Sequence, residues 1–323
     1  MNGSPVVNPP WLGEGGEAVL AVAGGLPLIV VDVNGLLIID KPGGMTSHDV
    51  VARVRRATGE KSIGHLGTLD PMATGVLPLL LGKFTRLAQY FGAMEKAYTG
   101  TIRFGFATDT YDAEGAAAGE AAPLRLSLEE LRGLAARFEG EIEQMPPPYS
   151  AKKIDGQPAY KQARAGETPQ LKAVPVTVHE FALGDLRGDC ASFQMRISAG
   201  GYVRSVAHEL GQLAGCGAHL ASLRRTAAGE LTLADAIPLE TVEELAAAGE
   251  LEERMPHPRE VLTDLPAVTA DAKSVGRLRN GMQVNLPDFS QAPLVRIFEG
   301  QRELIAIGRR VAGTLFQPVA VIG

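Results

Sequence analysis

The stretch GHLGTLDPMATGVL, residues 64–77, stands directly in front of an apolar run and decides how the rest of the chain is interpreted. It places three glycines, His65 and an Asp70-Pro71 pair in one short segment. Glycine permits backbone angles that other residues avoid and lets a ligand approach the main chain closely. An aspartate in such a loop is usually a turn former. On a rigid loop it can instead serve as a nucleophile or a base, and both interpretations of Asp70 are open at this point.

The segments on either side of this loop predict regular structure. The run GVLPLLLG (75–82) predicts a buried strand, and a helix is expected over 84–91. SHDVVARVRRATG (47–59) predicts a short amphipathic helix with a basic outer face, in which Ser47 is the N-cap and Gly59 the C-terminal stop. The dipeptide Asn34-Gly35 predicts a hairpin between the apolar runs that flank it.

Strand and helix patterns are mixed through the following segments. KAYTGTIRFGFATDT (96–110), AVPVTVHEFAL (173–183) and CASFQMRIS (190–198) predict strands. SLEELRGLAARF (127–138) predicts a helix that starts with a capping box, and GGYVRSVAHELGQLAG (200–215) predicts another helix. Because there is no regular β-α-β alternation, we expect an α+β fold with a largely antiparallel sheet.

The sequence divides into three parts. Residues 1–30 are rich in glycine and proline and show no clear periodicity, so they are interpreted as an N-terminal extension. Residues 31–260 carry the mixed helix and strand patterns and predict the main domain. Residues 261–323 contain short β-type runs with a small positive charge balance. This last part predicts a separate, small, β-rich domain.

The charge distribution leaves a nucleic-acid partner open. The formal net charge of -6 argues against one, because phosphate binding depends on Lys and Arg. However, residues 230–264 contain ten acidic side chains against only Arg254 and Arg259, a local balance of -8. The rest of the chain therefore carries about +2, and its basic residues can share one face.

Several classes of site have no support in the sequence. Cys190 and Cys216 are too few for a disulfide framework, and the histidines lack the spacing of a metal site. No P-loop or dinucleotide-binding glycine pattern is present, so we expect chemistry without a metal or a cofactor. The apolar stretch 18–31 is interrupted by glycine and proline and has no preceding Lys or Arg. We therefore expect a cytoplasmic protein that does not bind a membrane.

A second motif supplies a partner for Asp70. The sequence GGYVRSV (200–206) brings Tyr202 and Arg204 to the start of a predicted helix. An aromatic face beside a guanidinium suits an anionic or planar ligand. By itself this motif indicates little, since such a pair is more often a packed ring and a surface charge. Together with Asp70 it predicts an arginine that keeps the carboxylate charged.

Six segments, taken in order, closely resemble the successive motifs of the TruB family of bacterial tRNA pseudouridine synthases. The resemblance runs from about Leu36 to Thr226, and the terminal segment resembles the small PUA-type RNA-binding domain of that family. The segments are LLIIDKPGGMTSHDVV (36–51), GHLGTLDPMATGVLPLLLGKFTRL (64–87), KAYTGTIRFGFATDTYDAEG (96–115), PPPYSAKKIDGQPAY (146–160), GGYVRSVAHELG (200–211) and AHLASLRRTAAG (218–229).

The resemblance implies both a fold and an activity. The fold is that of pseudouridine synthases, a central mixed, largely antiparallel sheet flanked by helices, with a C-terminal PUA-like domain. The activity is isomerisation of the T-arm uridine at tRNA position 55 by base flipping, aspartate-dependent glycosidic cleavage, base rotation and C–C re-attachment. The implied partner is the T-arm stem-loop of tRNA, with no guide RNA, and we expect a monomer.

The resemblance also implies residue roles. Asp70 matches the essential aspartate and Arg204 the arginine that pairs with it. Tyr98 matches the tyrosine that stacks on the target base and takes the proton from C5. The other matched positions are the pocket walls Tyr202 and Leu223, the histidine His65 that fills the space of the flipped base, and the supporting pair Lys41 and Pro42.

Contacts to the RNA backbone are expected from basic side chains. A Lys or Arg that neutralises a phosphate releases counterions and makes binding depend on salt. The residues predicted for this role are Arg53, Arg55, Arg56, Arg86, Lys152, Lys153, Arg224 and Arg225.

Three alternatives stay open. A protein that binds or folds RNA without catalysis would keep its function in an Asp70→Asn variant. A glycoside hydrolase also breaks a bond at an anomeric carbon, but it normally needs two carboxylates, and only Asp70 lies in a motif. A guide-RNA-dependent relative is less similar, because the long segment between Tyr98 and Pro146 and the absence of a basic tail resemble the stand-alone bacterial type.

Overall fold

The computed structural model describes residues 33–150, 152–154, 157–165, 170–288 and 290–323. The extension predicted over 1–30 and the first arm of the predicted hairpin lie outside these residues. The strands are β1 (Gly35–Lys41), β2 (Ile63–His65), β3 (Thr74–Leu81), β4 (Lys96–Phe104), β5 (Ala107–Thr108), β6 (Ala117–Ala118), β7 (Gly140–Gln144), β8 (Lys153–Ile154), β9 (Gln157–Pro158), β10 (Val174–Arg187), β11 (Cys190–Ile197), β12 (Ala218–Ala228), β13 (Leu231–Thr232), β14 (Ile237–Pro238), β15 (Ala267–Ala270), β16 (Val284–Asn285), β17 (Leu294–Glu299), β18 (Glu303–Ala312) and β19 (Leu315–Val321).

The helices lie between these strands. None of the described helices is long and apolar enough to cross a membrane. The α-helices are α1 (Ser47–Thr58), α2 (Leu128–Ala135), α3 (Ala159–Arg164), α4 (Val203–Leu213), α5 (Leu239–Ala248) and α6 (Ala272–Arg279), and the 3₁₀ helices span Gly82–Phe91, Ala136–Phe138, Leu251–Arg254 and Pro258–Glu260. The helix expected over 84–91 is thus a 3₁₀ helix.

One large sheet organises the main part of the molecule. Its order is β14-β1-β3-β12-β4-β11-β10-β7, with β13 paired to β12 and β2 paired to β3. The pairs β1–β14 and β3–β12 are parallel. The other pairings of this sheet, within the described residues, are antiparallel. The expected mixed, largely antiparallel sheet is therefore confirmed.

Strands β1 and β3 are buried on both faces, which explains their continuous apolar sequences. In β1, Leu37 and Ile39 pack in a core with side chains of α1, α4 and α5. Leu36 and Ile38 face the other way and pack with the 3₁₀ helix Gly82–Phe91 and with strands of the C-terminal sheet. Strand β11, which lies between β4 and β10, instead alternates buried and exposed residues, so one of its faces is solvated.

The N-cap of helix α1 lies one residue earlier than the sequence predicts. The predicted N-cap, Ser47, is wrong: Thr46 caps the helix and forms a capping box with Asp49. Ser47 is buried as the first helical residue, because its hydroxyl is used in a tertiary contact with Leu69. The predicted stop is confirmed, since Gly59 adopts the left-handed conformation with φ 73°.

The C-terminal part forms its own sheet, in the order β15-β17-β18-β19-β16. Helix α6 packs beside it, and the two share a small apolar core that includes Val275 and Phe316. The β-type runs predicted after residue 261 are therefore strands. Buried Arg296 ties this sheet to the preceding segment by donating to the carbonyls of Arg259, Val261 and Leu265.

Candidate active site

The loop that carries Asp70 is fixed by two neighbouring elements. The Ser47 hydroxyl of α1 accepts from Leu69 N at 2.9 Å and donates to Leu69 O at 3.1 Å. The fully buried Lys41, at the end of β1, donates from Nζ to Pro42 O at 2.8 Å and to Pro71 O at 3.2 Å. These bonds hold both sides of Asp70, so its carboxylate projects from a rigid platform.

The Asp70 carboxylate is bound by Arg204. Arg204 Nε lies 2.9 Å from Oδ2, and Nη2 donates to Oδ1 at 3.1 Å. Such a two-point pair is stronger and more directional than a single contact. The Arg204 side chain is only 6% exposed, whereas that of Asp70 is 33% exposed. The carboxylate is therefore held from behind and open in front, and it is not used to cap its own turn.

Arg204 also contacts the turn between β5 and β6. Its Nη1 donates to Thr110 O at 3.0 Å and lies 3.4 Å from Oδ2 of the buried Asp112. Its Nη2 donates in addition to Tyr149 O at 3.0 Å. The buried guanidinium is thus fully paired, and Arg204 is an ion-pair partner of two aspartates.

Asp112 is the functional candidate that the sequence analysis did not assign. The structure places its carboxylate against Arg204, beside the pair that Arg204 forms with Asp70. Asp112 lies in TDTYDAEG (108–115), a segment rich in aspartate and threonine. Nothing in that segment indicates that its partner is Arg204, which lies 92 positions further along the chain. Asp112 accepts from Thr110 Oγ1 at 2.6 Å and from Glu114 N at 3.1 Å. It is not among the residues that line the cavity in front of Asp70, so the two carboxylates do not flank a common space as a glycosidase requires.

A cavity of about 240 Å³ opens in front of Asp70. The structure brings together there every residue predicted for the pocket, which are Asp70, Tyr98, Tyr202, Arg204 and Leu223. Gly67, with φ 103°, and the pair Gly200 and Gly201 leave part of the wall without side chains. Lys96 and Arg225 also line it, and they add two positive charges that sequence reasoning did not place in the pocket.

Arg225 lies beside Tyr98. The two residues are opposite each other on β12 and β4. Arg225 is buried and donates to Val76 O at 2.6 Å and to Gly67 O at 3.1 Å. This burial does not favour contact with an RNA phosphate, and the contact predicted for Arg225 stays a prediction.

Gly75 in the GHLGTLDPMATGVL stretch is explained by the close approach of the β3 and β12 backbones. Gly75 has φ 99°, and a Cβ on it would lie 2.2 Å from the carbonyl oxygen of Arg225. The residue is thus required by the contact between β3 and β12. The expectation that this glycine admits a ligand is wrong, while Gly67 does line the cavity.

The pocket shifts the titration of its groups. Enclosure raises the pKa of the Asp70 carboxyl, and the Arg204 guanidinium counteracts that rise. Burial raises the pKa of Tyr98, while the charge and hydrogen bond of Arg225 lower it. Burial lowers the pKa of Lys41 to about 8, and the nearby Asp70 opposes this. Burial also lowers the pKa of Lys96.

His65 lies at the end of β2, ahead of the Asp70 loop, and does not line the cavity. It is half-buried and meets His48 edge to face, with ring centroids 5.5 Å apart. Burial, with the charges of His48 and Arg225, lowers the pKa of His65, which favours a neutral imidazole. Its Nδ1 has no hydrogen-bond partner within the described chain. A planar, neutral imidazole whose Nδ1 has no partner in the described residues is consistent with the role predicted for His65, which is to fill the space of the flipped base. That role stays a prediction.

Two of the basic residues predicted for RNA contacts are already paired with carboxylates. Arg53 of α1 binds Glu243 of α5 through Nε at 2.9 Å and Nη2 at 2.8 Å. Arg224 binds Asp40 through both terminal nitrogens, at 3.0 and 2.7 Å. Part of the acidic segment 230–264 therefore pairs with one arginine of α1.

The remaining basic candidates are less engaged. Arg55 donates to Lys61 O at 3.2 Å, and Arg86 donates to the main-chain oxygen of Val321. Arg56 and Lys152 are exposed, and Lys153 lies on β8. Contact of any of them with RNA stays a prediction.

Comparisons with known proteins agree with this arrangement. The sequence profile of the TruB family pseudouridylate synthase N-terminal domain matches residues 55–203, and that of the tRNA pseudouridylate synthase B C-terminal domain matches residues 204–267. The tRNA pseudouridine synthase B of Solibacter usitatus is 42% identical over 90% of this chain and 100% of its own length. The protein of that name from Cupriavidus metallidurans is 40% identical, over 88% of this chain and 93% of its own.

Solved structures show the same fold. A chain in the structure of an H/ACA RNP bound to a substrate RNA containing 2'-deoxyuridine has a TM-score of 0.66 with 23% identity, over 90% of this chain and 85% of that one. A chain of a Cbf5-Nop10-Gar1 complex has the same TM-score and coverage with 25% identity. With the two profile matches and relatives above 40% identity, these likenesses show that the chain belongs to the TruB family of pseudouridylate synthases.

Proposed function

We propose that this protein is a tRNA pseudouridine synthase that converts the T-arm uridine at position 55 to pseudouridine. Its family and its relatives named tRNA pseudouridine synthase B support a tRNA substrate. The observation that carries the proposal is the Asp70 carboxylate, which Arg204 binds at both oxygens at the back of an aromatic cavity. This geometry supplies a charged carboxylate in a space that fits one base.

The reaction begins with extrusion of the target nucleotide. A uridine stacked in an RNA loop is not accessible to a buried carboxylate, so it must leave the stack at a cost of a few kcal/mol. The extruded base enters the cavity between Tyr98 and Leu223. His65, a neutral planar ring in front of the catalytic loop, fills the space that the base leaves behind.

The chemistry exchanges one bond for another within the same nucleotide. Asp70 acts on the ribose and base while the bond between N1 and C1′ breaks. The uracil rotates in the pocket and a bond forms between C5 and C1′. The C5 hydrogen then leaves as a proton to Tyr98 while the tyrosine passes its own hydroxyl proton to water, and N1, which kept the electron pair of the broken bond, takes up a proton. A predominantly apolar and aromatic wall permits this rotation better than a set of directional hydrogen bonds would. The atoms of substrate and product are the same, so the step needs no co-reactant.

The domain roles belong to the same proposal. We assign catalysis to residues 31–260 and RNA binding to a PUA-like domain over 261–323, acting as a monomer without guide RNA. The boundary is supported by the large sheet, because α4 and β12 carry Arg204 and Leu223 and complete the catalytic cavity. Within the described residues, the C-terminal strands β15 to β19 instead pair only with one another.

The test is release of tritium from C5-labelled uridine in an unmodified tRNA transcript. Wild type should release one tritium per tRNA, and Asp70→Asn should release none while still binding tRNA. Asp185→Asn, which changes an exposed carboxylate on β10, is the matched control and should behave as wild type. A transcript with cytidine at position 55 should give no release. A wild-type protein that binds tRNA without release, or an active Asp70→Asn variant, would reject the enzyme in favour of an RNA-binding or RNA-folding protein.

A further inference from the structure

Tyr111 has an unusual backbone conformation beside the active site. Its φ is 66°, and among the described residues only Leu262 is another non-glycine with positive φ. A bulky residue in this region costs on the order of 1–3 kcal/mol and persists only where its surroundings determine it fully. Here β12 does so in part, since Leu220 N donates to Tyr111 O at 3.0 Å and Ala113 N donates to Leu220 O at 3.0 Å.

The Tyr111 ring stacks on His208 of α4. The ring centroids are 3.8 Å apart and the planes differ by 14°. The Nδ1 atom of His208 is buried and has no hydrogen-bond partner in the described residues. Burial lowers the pKa of His208, which favours the neutral imidazole. The ring interacts through its stacked face. The imidazole is therefore placed for stacking.

The stack is adjacent to the network that holds the catalytic carboxylate. His208 follows Arg204 by four residues, so the two side chains are neighbours along α4. Tyr111 lies between Thr110 and Asp112, which supply both contacts of Arg204 Nη1. The same three-residue segment thus meets α4 at two successive turns, once through polar contacts and once through stacked rings.

From this geometry we propose that Tyr111 and His208 are positioning residues, which fix the turn between β5 and β6 so that Thr110 and Asp112 orient Arg204 and, through it, Asp70. The proposal rests on the function proposed above. Without the stacking on His208, residue 111 can leave the left-handed conformation and the turn between β5 and β6 can change shape. Arg204 Nη1 then loses its two partners from the turn, and the two-point contact with Asp70 loosens, although neither ring touches the substrate cavity.

The variants Tyr111→Gly and His208→Ala remove the stack from either side, and Tyr111→Phe preserves it. Each of the first two should lower kcat about ten- to a hundred-fold, the order of loss expected from a small displacement of catalytic groups. KM should change less than about three-fold. The double variant should lose no more than the worse single variant, since the two act through one contact, and Tyr111→Phe should retain wild-type kcat. Phe181→Leu, in the core of the large sheet and away from the cavity, is the control for general loss of stability.

A second measurement separates positioning from simple destabilisation and does not require activity. The pKa of Asp70 can be followed by carbon NMR of labelled aspartate carboxyls, assigned with the Asp70→Asn spectrum. The charged groups that act on Asp70 are Arg204, Asp112 and Lys41, and loosening of Arg204 should raise the pKa of Asp70 in Tyr111→Gly and His208→Ala. The proposal is overturned if these variants lose thermal stability but keep wild-type kcat and the wild-type Asp70 titration. A wild type that fails to form pseudouridine rejects the proposed function, while the NMR titration still decides the positioning role.

Discussion

Arg204 binds both carboxylate oxygens of Asp70, at 2.9 and 3.1 Å, while its Nη1 contacts the turn that carries Asp112. The guanidinium therefore orients the carboxylate that we propose to be catalytic and also balances its charge. The two-point contact is not needed for charge balance alone, because the ammonium of Lys41 also lies near Asp70. The geometry of the pair is consequently open to separate test.

Arg204→Lys should lower kcat about a hundred-fold, because an ammonium keeps the charge but cannot bind two oxygens in a plane. The active form of Asp70 is the carboxylate, so activity falls as the pH drops through its pKa. Enclosure sets this pKa above the ordinary aspartate value, and a weaker cation should move the acid limb of kcat to still higher pH. Tritium release over pH 4 to 8 measures both effects. An unchanged kcat and acid limb in Arg204→Lys would show that the two-point contact is dispensable.

Arg225→Met should lower turnover and leave tRNA affinity nearly unchanged. Arg225 is buried beside Tyr98 and lowers the pKa of that tyrosine against the effect of burial. We expect kcat to fall about ten- to a hundred-fold, less than the roughly 10²–10⁴-fold that a whole general acid or base contributes, because Tyr98 itself is retained. Filter binding at several salt concentrations should give the wild-type slope. A reduced slope with unchanged kcat would instead support Arg225 as a phosphate-binding residue.

Lys41→Met should destabilise the protein by about 1–3 kcal/mol at pH 7, because three buried carbonyl oxygens lose their donor. The difference should depend on pH. The pKa of Lys41 is about 8 in the folded protein and 10.5 as a free side chain, so between these values the unfolded chain binds more protons and wild-type stability rises with pH. Urea unfolding of both proteins at pH 7 and pH 9.5 should show a larger gap at pH 9.5. An equal gap would contradict the assigned protonation of Lys41.

His65→Ala should slow capture of the flipped base without stopping the chemistry. The ring fills the place of the extruded uridine in the proposed mechanism, so its loss leaves the unstacked RNA less stable. In single-turnover reactions the observed rate should fall at limiting enzyme concentration and partly recover at saturation. A nucleotide-analogue fluorescence signal for base unstacking provides the measurement, and His48→Ala, which removes the neighbouring ring, is the comparison. No effect of His65→Ala on either signal argues against the wedge.

Arg56 and Lys152 are the sharpest test of the RNA backbone contacts, because both are exposed. If each neutralises one phosphate, Arg56→Ala combined with Lys152→Ala should reduce the slope of log affinity against log salt by about 1–2. The single-turnover rate at saturating enzyme should stay as in wild type. Arg187→Ala, which changes another exposed arginine, serves as control, and an unchanged slope in the double variant removes both residues from the RNA interface.

The fold follows largely from local sequence patterns. Continuous apolar runs such as Leu79–Leu81 predicted buried strands, and the alternation in CASFQMRIS predicted the strand that the structure shows as β11 with one solvated face. The capping box at Ser127 and the stop at Gly59 set helix ends through contacts within a few residues. Ser47 was misassigned as a cap because its hydroxyl is used by Leu69, 22 positions away. Long-range competition of this kind has no local signature.

The sequence by itself selected Asp70, Tyr202 and Arg204 as candidates, through the glycine-rich loop, the GGYVRSV segment and their resemblance to the TruB motifs. Only the tertiary structure decided what each group meets. It placed Asp112 against Arg204 and Arg225 beside Tyr98, and it stacked Tyr111 on His208. The physical reason is that periodicity and glycine content report local conformation, whereas ion pairs, burial and pKa shifts depend on which strands and helices become neighbours. In this protein the neighbours of the site residues are set by the position of β12 between β3 and β4 in one sheet.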